Sequence, residues 1–350
     1  MRIRVDLSTP YEVSLGDGVR HEVGRFVRER LARARVAVII TSPEIRRQPW
    51  FDLAEDFDIT TAIVEVADGE AAKTLSSLER VCEALAHHHV SRHDVVVGVG
   101  GGAITDLAGF AAAVYLRGVA VLQVPTSVVG QVDAAIGGKT AVNIAAGKNL
   151  VGAFHQPAGV WCDSATLRTL NERERVAGMG EVAKCWLLAG RPRADLDAAT
   201  LDELIEMSVA LKARIVAADE FETTGERALL NYGHTLGHAL ELVALARDSE
   251  ELRHGEAVAI GVAFAARLAR ELDRVDDVVV AETDAVLDHF GLVRRCPPDV
   301  DVEEIMAVMG RDKKTHHDLA FVLAGREGFA LVPGIGADVV RRVLERFKGE

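Results

Sequence analysis

The stretch DVVVGVGGGAITDLAGFAAAVYL, residues 94–116, decides the fold class of this chain. Its apolar segment at 94–99 is typical of a buried strand, and the one at 104–116 is typical of a helix. The glycines between them let backbone N–H groups approach a phosphate at the helix N-terminus. A tight structural turn is the alternative, because the pattern Gly98-Val-Gly-Gly-Gly-Ala103 lacks a clear acidic residue about 20 positions further on.

The segments around this strand–turn–helix unit extend it into an α/β domain. Strands are predicted at Ile3–Leu7, Tyr11–Leu15, Val36–Thr41, Thr60–Val66 and Val119–Val124, and helices at Val19–Ala34 and Ser76–His89. The first two strands alternate apolar and polar residues, as a hairpin does. The others are continuously apolar and separated by helices, which predicts a parallel sheet covered on both faces.

The pattern becomes helical after about residue 160. Helices are predicted at Glu172–Leu188, Leu201–Ala218, Glu226–Leu245, Gly255–Leu272 and Val278–Phe290, and short strands at Leu319–Ala324 and Phe329–Val332. We therefore expect a Rossmann-like α/β N-terminal domain with a parallel sheet, followed by a mainly α-helical C-terminal domain. The boundary is placed at Gln156-Pro-Ala-Gly159, which gives domains 1–158 and 159–350.

Composition and charge narrow the class of protein. The chain has 350 residues, 49% of them hydrophobic, which is enough for two domain cores. A net charge of −13 argues against nucleic acid or an anionic membrane as the main partner, although an anionic substrate remains possible. The four cysteines are scattered without a C-x-x-C pair, and the opening Met1–Asp6 reads as a strand rather than a signal peptide. We expect a soluble cytoplasmic protein.

Three separate segments of the helical half carry metal-ligand side chains. They are Glu181 in Gly180-Glu-Val-Ala-Lys184, His234 in Asn231-Tyr-Gly-His-Thr-Leu-Gly-His238, and His254 at the start of His254-Gly-Glu-Ala. A Glu/His/His set with one open position is a common catalytic zinc site. No Glu follows His234, so the H-E-x-x-H pattern of a metalloprotease is absent. A helix cap within a buried hydrogen-bond network is the alternative.

The helix predicted around His234 strengthens the metal hypothesis. At about 100° per residue, Arg227, Asn231, His234 and His238 fall within a sector of roughly 60° on an otherwise apolar helix. A narrow polar stripe on a buried helix needs a metal, a ligand or a cavity to satisfy it.

Two Gly-Lys units predict a loop that wraps an anion. They lie within ten residues of each other, in Asp133-Ala-Ala-Ile-Gly-Gly-Lys139 and Gly147-Lys-Asn149. A solvated loop is the alternative. By themselves, Asp68-Gly-Glu-Ala-Ala-Lys73 could be an ordinary loop and cap, and Arg311-Asp-Lys-Lys314 a solvated charge run.

Taken together, these segments resemble the 3-dehydroquinate synthase family, within the sugar-phosphate cyclase superfamily. The resemblance covers most of the chain, and the order and spacing of its motifs are highly specific. The matching segments are Asp68–Lys73, Gly100–Phe110, Tyr115–Gly118, Gln123–Ser127, Gln131–Thr140, Gly147–Phe154, Gly180–Lys184, Asn231–His238, His254–Val258 and Asp312–Lys314.

The resemblance implies an NAD-dependent, zinc- or cobalt-requiring carbon–oxygen lyase acting on phosphates. It would convert 3-deoxy-D-arabino-heptulosonate 7-phosphate into 3-dehydroquinate and phosphate, in the shikimate pathway that leads to chorismate and the aromatic amino acids. NAD would oxidise the C4 hydroxyl, the metal would stabilise the developing alkoxide, and loss of the C5 proton would expel phosphate. The same NAD would return the hydride before an intramolecular aldol step closes the ring. A cytoplasmic homodimer is also implied.

The resemblance assigns residues to three roles. The metal ligands would be Glu181, His234 and His254. NAD would contact Asp68, Gly69, Glu70, Lys73, Gly101, Gly102, Asp106, Thr126, Ser127, Lys139, Lys148, Thr166, Leu167 and Thr169. The substrate would contact Asp133, Lys139, Asn149, Lys184, Lys212, Arg227, Asn231, His238 and one of Lys313 and Lys314, with Arg117 donated across the dimer interface to the phosphate. Domain 1–158 would then bind NAD, and domain 159–350 the metal and substrate.

Other functions remain open at the level of sequence. Another sugar-phosphate cyclase could make a cyclitol from a carboxylate-free substrate such as sedoheptulose 7-phosphate. Arg227 favours a carboxylate, because its planar guanidinium pairs with two oxygens. A metal-dependent polyol dehydrogenase of related fold would lack the lysines assigned above to the substrate and its phosphate. A non-catalytic relative would have lost some of the metal and phosphate residues. The segment Glu222-Thr-Thr-Gly-Glu-Arg227 is one residue longer than the family's usual run.

Overall fold

The computed structural model describes residues 1–246, 252–298, 300–311 and 318–350, so the predicted substrate residues Lys313 and Lys314 lie outside the described part. The chain forms two compact units. The first contains Met1–Asn171 and Val209–Phe221, and the second contains Glu172–Ser208 and Glu222–Glu350. The sequence-based division, with NAD bound by residues 1–158 and the metal and substrate by residues 159–350, stays a prediction.

The first unit is built on a seven-stranded sheet. Its strands are β1 (Arg2–Val5), β2 (Tyr11–Gly16), β3 (Val36–Thr41), β4 (Thr60–Glu65), β5 (Val95–Gly100), β6 (Ala120–Pro125) and β9 (Gly159–Asp163), with a separate hairpin of β7 (Lys139–Ile144) and β8 (Gly147–Phe154). The order is β1-β2-β9-β6-β5-β3-β4. Only the β1–β2 pair is antiparallel among the pairs described in this sheet. The predicted parallel sheet and N-terminal hairpin are confirmed.

The helices of this unit follow the strands. They are α1 (Glu22–Arg30), α2 (Pro43–Arg46), α3 (Leu75–His87), α4 (Gly102–Val114) and α5 (Ser164–Leu167). Successive side chains of the central strands enter two different cores: Val38, Ile40 and Val96 lie in one, and Ile39 and Val97 in the other. Apolar residues are therefore required at every position, which explains the unbroken apolar runs.

The sheet has a switch point between β3 and β5. The strand β3 pairs with β4 on one side and with β5 on the other, so the direction of strand addition reverses there. In open α/β sheets, ligands bind outside the carboxyl ends of strands at such a point. The loop Gly100–Gly102, which follows β5, lies at this position.

The second unit is mainly helical, as predicted. Its elements are α6 (Glu172–Leu188), α7 (Leu201–Ala218, shared with the first unit), α8 (His234–Ala246), α9 (His254–Glu271), α10 (Asp277–His289), α11 (Val302–Arg311), α12 (Ala337–Gly349) and the hairpin β10 (Asp318–Gly325) with β11 (Gly328–Gly336). Helix α9 is buried along almost its whole length. It contacts α6, α8, α10, α12 and β10, so it forms the centre of this unit.

The prediction of one continuous helix over Glu226–Leu245 is wrong in one respect. A short 3₁₀ helix spans Arg227–Asn231, and α8 starts anew at His234. Gly233 separates them with φ at 82°, a left-handed conformation that favours glycine. A Cβ at Gly233 would also lie 2.8 Å from the carbonyl oxygen of Val258 on α9. The single 60° polar stripe from Arg227 to His238 therefore does not exist as one helix face.

Within the described ranges, no helix combines the length and the apolar character needed to cross a lipid bilayer.

Candidate functional site

The three predicted metal ligands meet in the second unit. Glu181 comes from the middle of α6, and His234 and His254 are the first residues of α8 and α9. Glu181 Oε1 lies 3.1 Å from His254 Nε2 and 3.4 Å from His234 Nε2. One ligand atom from each residue lies within 4.8 Å of the others. The geometry therefore places one carboxylate and two imidazoles around a common point.

Each of these three residues has a glycine beside it in the sequence, and at each glycine the backbones of two helical segments come into close contact. A Cβ at Gly180 would lie 2.1 Å from the carbonyl oxygen of Gly255, and one at Gly255 would lie 1.7 Å from that of Ala177. On the other side of α9, a Cβ at Gly261 would lie 1.8 Å from the carbonyl oxygen of Gly233. Real Cβ atoms do not approach other atoms this closely, so glycine is required for α6 and α8 to reach α9. These contacts set the separation of the three donors.

Lys184 contributes the positive charge closest to Glu181. Its Nζ lies 2.5 Å from Glu181 Oε2 and donates to the carbonyl oxygen of Leu230 at 2.9 Å. Both Lys184 and Glu181 are buried. Burial alone would raise the pKa of Glu181, but Lys184, a hydrogen bond from His254 and the charge of His234 hold it well below its usual range. Glu181 is thus a carboxylate at neutral pH, as a metal ligand must be.

The two histidines differ in their protonation. Burial, reinforced by the charge of Lys184, lowers the pKa of His234 to about 3, so this ring is neutral and can offer a lone pair. Burial opposes a charge on His254 too, but its hydrogen bonds with Glu181 and Glu241 raise its pKa to about 10. In the metal-free protein His254 therefore carries a proton that a cation would displace. This donor set fits a divalent metal such as zinc or cobalt.

Of the other predicted substrate residues, His238 lies beside this cluster, and the 3₁₀ helix Arg227–Asn231 contacts its edge through the carbonyl oxygen of Leu230. The exposed ring of His238 lies 5.1 Å from that of His234 and 6.0 Å from that of His254. Arg227 is only 2% exposed, and it shares the 3₁₀ helix with Asn231, directly before His234. Asn231 donates to Glu222 at 3.4 Å.

A second group of predicted residues meets in the first unit, around Lys73. The buried Nζ of Lys73 lies 2.5 Å from Asp106 Oδ2 and 2.5 Å from Asn149 Oδ1. Burial raises the pKa of Asp106 to about 6, although Lys73 opposes that shift. Asn149 adopts φ of 56°, a left-handed conformation that asparagine tolerates better than most residues. Lys73 and Asp106, which are predicted to contact NAD, are therefore linked directly to Asn149, which is predicted to contact the substrate.

Asn143, which belongs to none of the motifs in the sequence, links the members of this group. Its amide donates to Glu70 Oε2 at 2.7 Å, and its side-chain oxygen accepts from the backbone N–H of Asn149 at 2.9 Å. Its own backbone N–H donates to the carbonyl oxygen of Lys73 at 2.8 Å. The sequence predicts a glycine-rich loop here, whereas the structure has the β7–β8 hairpin that carries Asn143. The apolar positions at Val142 and Val151 were the available signal for it.

The glycine-rich turn lies beside the end of β6. The N–H of Thr126 donates to the carbonyl oxygen of Gly100 at 2.9 Å, and a Cβ at Gly101 would lie 3.3 Å from Ser127 Oγ. The first helical residue, Gly102, would bring its Cβ to 3.1 Å from that of Ala134. Side chains at Gly101 and Gly102 would therefore be crowded, whereas the glycine backbone leaves its N–H groups open to close approach by a ligand.

The remaining predicted residues of the first unit differ in their partners and in their exposure. Lys212, from the part of α7 that belongs to this unit, donates to both the carbonyl oxygen of Asp133, at 2.7 Å, and its carboxylate. Thr166 and Leu167 are buried on α5, and Thr169 Oγ1 accepts from Trp50 Nε1 at 2.8 Å. Asp68, Gly69 and Lys139 are exposed, and Lys148 is half-buried.

Arg117 is not brought together with these residues. It is exposed, with φ of 65°, just past the C-terminal end of α4. Helix α4 has 13 residues, so Arg117 lies about 20 Å from Gly102 at the other end.

Comparisons with known proteins identify the family. The profile of the 3-dehydroquinate synthase N-terminal domain matches residues 63–177, and that of the C-terminal domain matches residues 178–315. The chain is 48% identical to a protein of Amycolatopsis mediterranei (strain S699) provisionally named aminodehydroquinate synthase, over 96% of this chain and 91% of that protein. It is 44% identical to the 3-dehydroquinate synthase of Thermobifida fusca (strain YX), over 83% of this chain and 81% of that protein.

A solved structure shows the same fold. The crystal structure of 2-deoxy-scyllo-inosose synthase complexed with carbaglucose-6-phosphate, NAD+ and Co2+ superimposes with a TM-score of 0.86 at 24% identity, over 99% of this chain and 100% of that one. With two family profiles spanning most of the sequence, and relatives above 40% identity along most of its length, the chain belongs to the 3-dehydroquinate synthase family.

Proposed function

We propose that this chain is a 3-dehydroquinate synthase, which converts 3-deoxy-D-arabino-heptulosonate 7-phosphate into 3-dehydroquinate and phosphate. The observation that carries the proposal is the Glu181, His234 and His254 donor set with Lys184 at its edge. A cation site alone would suit many hydrolases. The buried Arg227, on the 3₁₀ helix that precedes α8, adds a group suited to a carboxylate substrate.

NAD is the proposed cofactor of the first unit, where it would transfer a hydride from the substrate and return it. The glycine-rich turn at the sheet's switch point would hold its pyrophosphate through backbone N–H groups at the N-terminus of α4. Glu70, Lys73 and Asp106 line the adjacent loop and would contact the rest of the dinucleotide.

A divalent cation held by Glu181, His234 and His254 would stabilise the negative charge that develops on the oxidised hydroxyl. Lys184 would orient the carboxylate of Glu181 and add positive charge beside the reacting oxygens. Arg227 would fix the substrate carboxylate in a two-point contact. His238, the exposed imidazole of the cluster, would hold or transfer a proton at the substrate. Asn149, Lys139 and Lys212 are the groups proposed to position the phosphate and neighbouring hydroxyls.

The test is release of inorganic phosphate from the heptulosonate phosphate by protein loaded with NAD+ and zinc or cobalt. Phosphate release without net NADH is expected, because the hydride returns to the product. Stoichiometric NADH would instead indicate a polyol dehydrogenase. Turnover of sedoheptulose 7-phosphate, with none of the heptulosonate, would indicate a cyclitol-forming relative.

A second candidate is synthesis of an aminodehydroquinate from the amino analogue of the same substrate. The 48% identical relative from Amycolatopsis mediterranei, which covers almost the whole chain, favours it. The two candidates are separated by kcat/KM for the amino and hydroxy substrates measured with one enzyme preparation. A higher value for the amino substrate would replace the first proposal by the second.

We further propose that the protein is a cytoplasmic homodimer in which Arg117 reaches the partner's phosphate site. Its exposure at the end of α4, away from the residues around Gly102, supports this role. Sedimentation of the purified protein, with Arg117→Ala assayed for phosphate affinity, tests the assembly and the role together.

A further inference from the structure

A second carboxylate, Glu241, contacts the ring nitrogen of His254 that points away from Glu181. Glu241 Oε2 lies 3.3 Å from His254 Nδ1, whereas Glu181 Oε1 lies 3.1 Å from Nε2. Glu241 is only 7% exposed. The imidazole of His254 is therefore held at both nitrogens by buried carboxylates, one from α6 and one from α8.

Helix geometry explains why Glu241 reaches this position. It lies seven residues after His234 on α8, which is almost two full turns, so both residues lie on the same face of the helix. His238 lies on that face between them. Helix α8 therefore begins with His234, one donor of the cluster, and also brings the carboxylate of Glu241 to Nδ1 of His254, another donor.

A second cation site is the competing explanation for this carboxylate. One donor atom from each of His238, Glu241 and His254 also lies within 4.8 Å of the others. This set needs His254 Nδ1, and the first set needs Nε2. A neutral imidazole has one lone pair and one N–H, so it can bind an ion through only one of its nitrogens. Glu181 Oε1 lies 3.1 Å from His254 Nε2 and 3.4 Å from His234 Nε2, so the geometry favours an ion on the Nε2 side, and Nδ1 then keeps its proton.

We propose that Glu241 is a positioning residue for the metal centre. Its carboxylate accepts the Nδ1–H of His254, which fixes the tautomer and turns the Nε2 lone pair toward Glu181 and His234. Carboxylates that hold metal-bound histidines in this way typically account for 10- to 100-fold in metal affinity. This inference extends the metal site of the proposed function, but it does not depend on which substrate the protein converts.

The experiment measures metal binding directly. Glu241→Ala and Glu241→Gln are compared with wild type by zinc competition against a chromophoric chelator, by metal stoichiometry, and by the visible absorption of the cobalt form. Glu271→Gln is the matched control, because Glu271 is also an acidic side chain of the second unit, but it pairs with Arg346 at the far end of α9. Its zinc Kd should stay within about twofold of wild type.

We expect zinc affinity to fall about 10- to 100-fold in Glu241→Ala and by less in Glu241→Gln, because the amide oxygen still accepts the Nδ1–H. The cobalt absorption should change in Glu241→Ala, and every variant should bind one metal per chain. If the alanine variant does not fold, the glutamine variant carries the test.

Three results would overturn the inference. An unchanged zinc Kd in both variants, with a lower melting temperature of the metal-free protein, would make Glu241 purely structural. Two metals per wild-type chain and one in Glu241→Ala would make it a ligand of a second site. Wild-type protein that binds no metal would remove the basis of both proposals. Normal metal binding without phosphate release would contradict the proposed function alone.

Discussion

Substitution of Gly255 by alanine tests whether backbone contact between α6 and α9 builds the metal centre. The new Cβ would lie 1.7 Å from the carbonyl oxygen of Ala177, whereas real Cβ atoms stay beyond 3.0 Å. The helices must therefore separate by about 1.3 Å or more, and overpacking of this kind costs about 3 kcal/mol. That cost lowers the melting temperature of the second unit by about 6–12 °C.

The same displacement weakens the metal site. Glu181 Oε1 and His254 Nε2 are 3.1 Å apart, and metal–ligand distances tolerate deviations of only about 0.2 Å. We expect zinc affinity, measured by chelator competition, to fall about 100-fold, by analogy with the effect of a misplacement of about 1 Å on catalysis. Gly310→Ala is the control, because a Cβ there would meet no atom within 4 Å in the described part of the chain. A Gly255→Ala protein with the melting temperature and zinc Kd of wild type would refute the reasoning.

Three further expectations follow from the two clusters. His234→Ala should lose bound zinc and activity together, and a normal zinc content in atomic absorption would show that His234 is not a ligand. Asn143→Ala should weaken NAD+ binding several-fold in calorimetry, because Glu70, Lys73 and Asn149 lose their common partner; an unchanged Kd would separate Asn143 from the cofactor. Asp106 has a native pKa of about 6 against an ordinary 3.8, so it stabilises the fold at acid pH and loses that contribution as pH rises through 6. From pH 4 to 7 the free energy of unfolding of wild type should therefore fall by up to about 3 kcal/mol relative to that of Asp106→Asn. If the free energies of the two proteins change in parallel with pH, the raised pKa of Asp106 is contradicted.

Periodicity and motif spacing predicted most of the architecture, and the failures have physical causes. The central strands were predictable because residues such as Val38 and Ile39 enter two cores, which demands apolar side chains throughout. Strand β9 was missed because Gly159–Asp163 is short and follows a Gln-Pro-Ala sequence that reads as a linker. Its residues pair with β2 and β6, contacts far apart in sequence that local patterns do not encode.

The meeting of Glu181, His234 and His254 could be predicted from residue type and motif order, whereas the residues that support them could not. Three separated segments of the sequence supply side chains that are compatible as ligands of one ion. The break at Gly233 was invisible, because Ala228–Leu240 continues an apolar pattern across it and only the packing against α9 forces the left-handed turn. Glu241 and Asn143 carried no motif of their own. Their importance depends on which atoms they contact.

The discontinuous first unit has a consequence for synthesis on the ribosome. The strand β2 finds its partner β9 only after residue 163, and the unit also includes Val209–Phe221, which is made after the first part of the helical unit. At about 5–20 residues per second, the nascent α/β unit waits about 3–10 s between residues 171 and 221 without the segment that carries Lys212. During that interval all seven strands of the sheet have been made, but Asp133 has not yet met Lys212, and the helical segment that completes the unit is still missing.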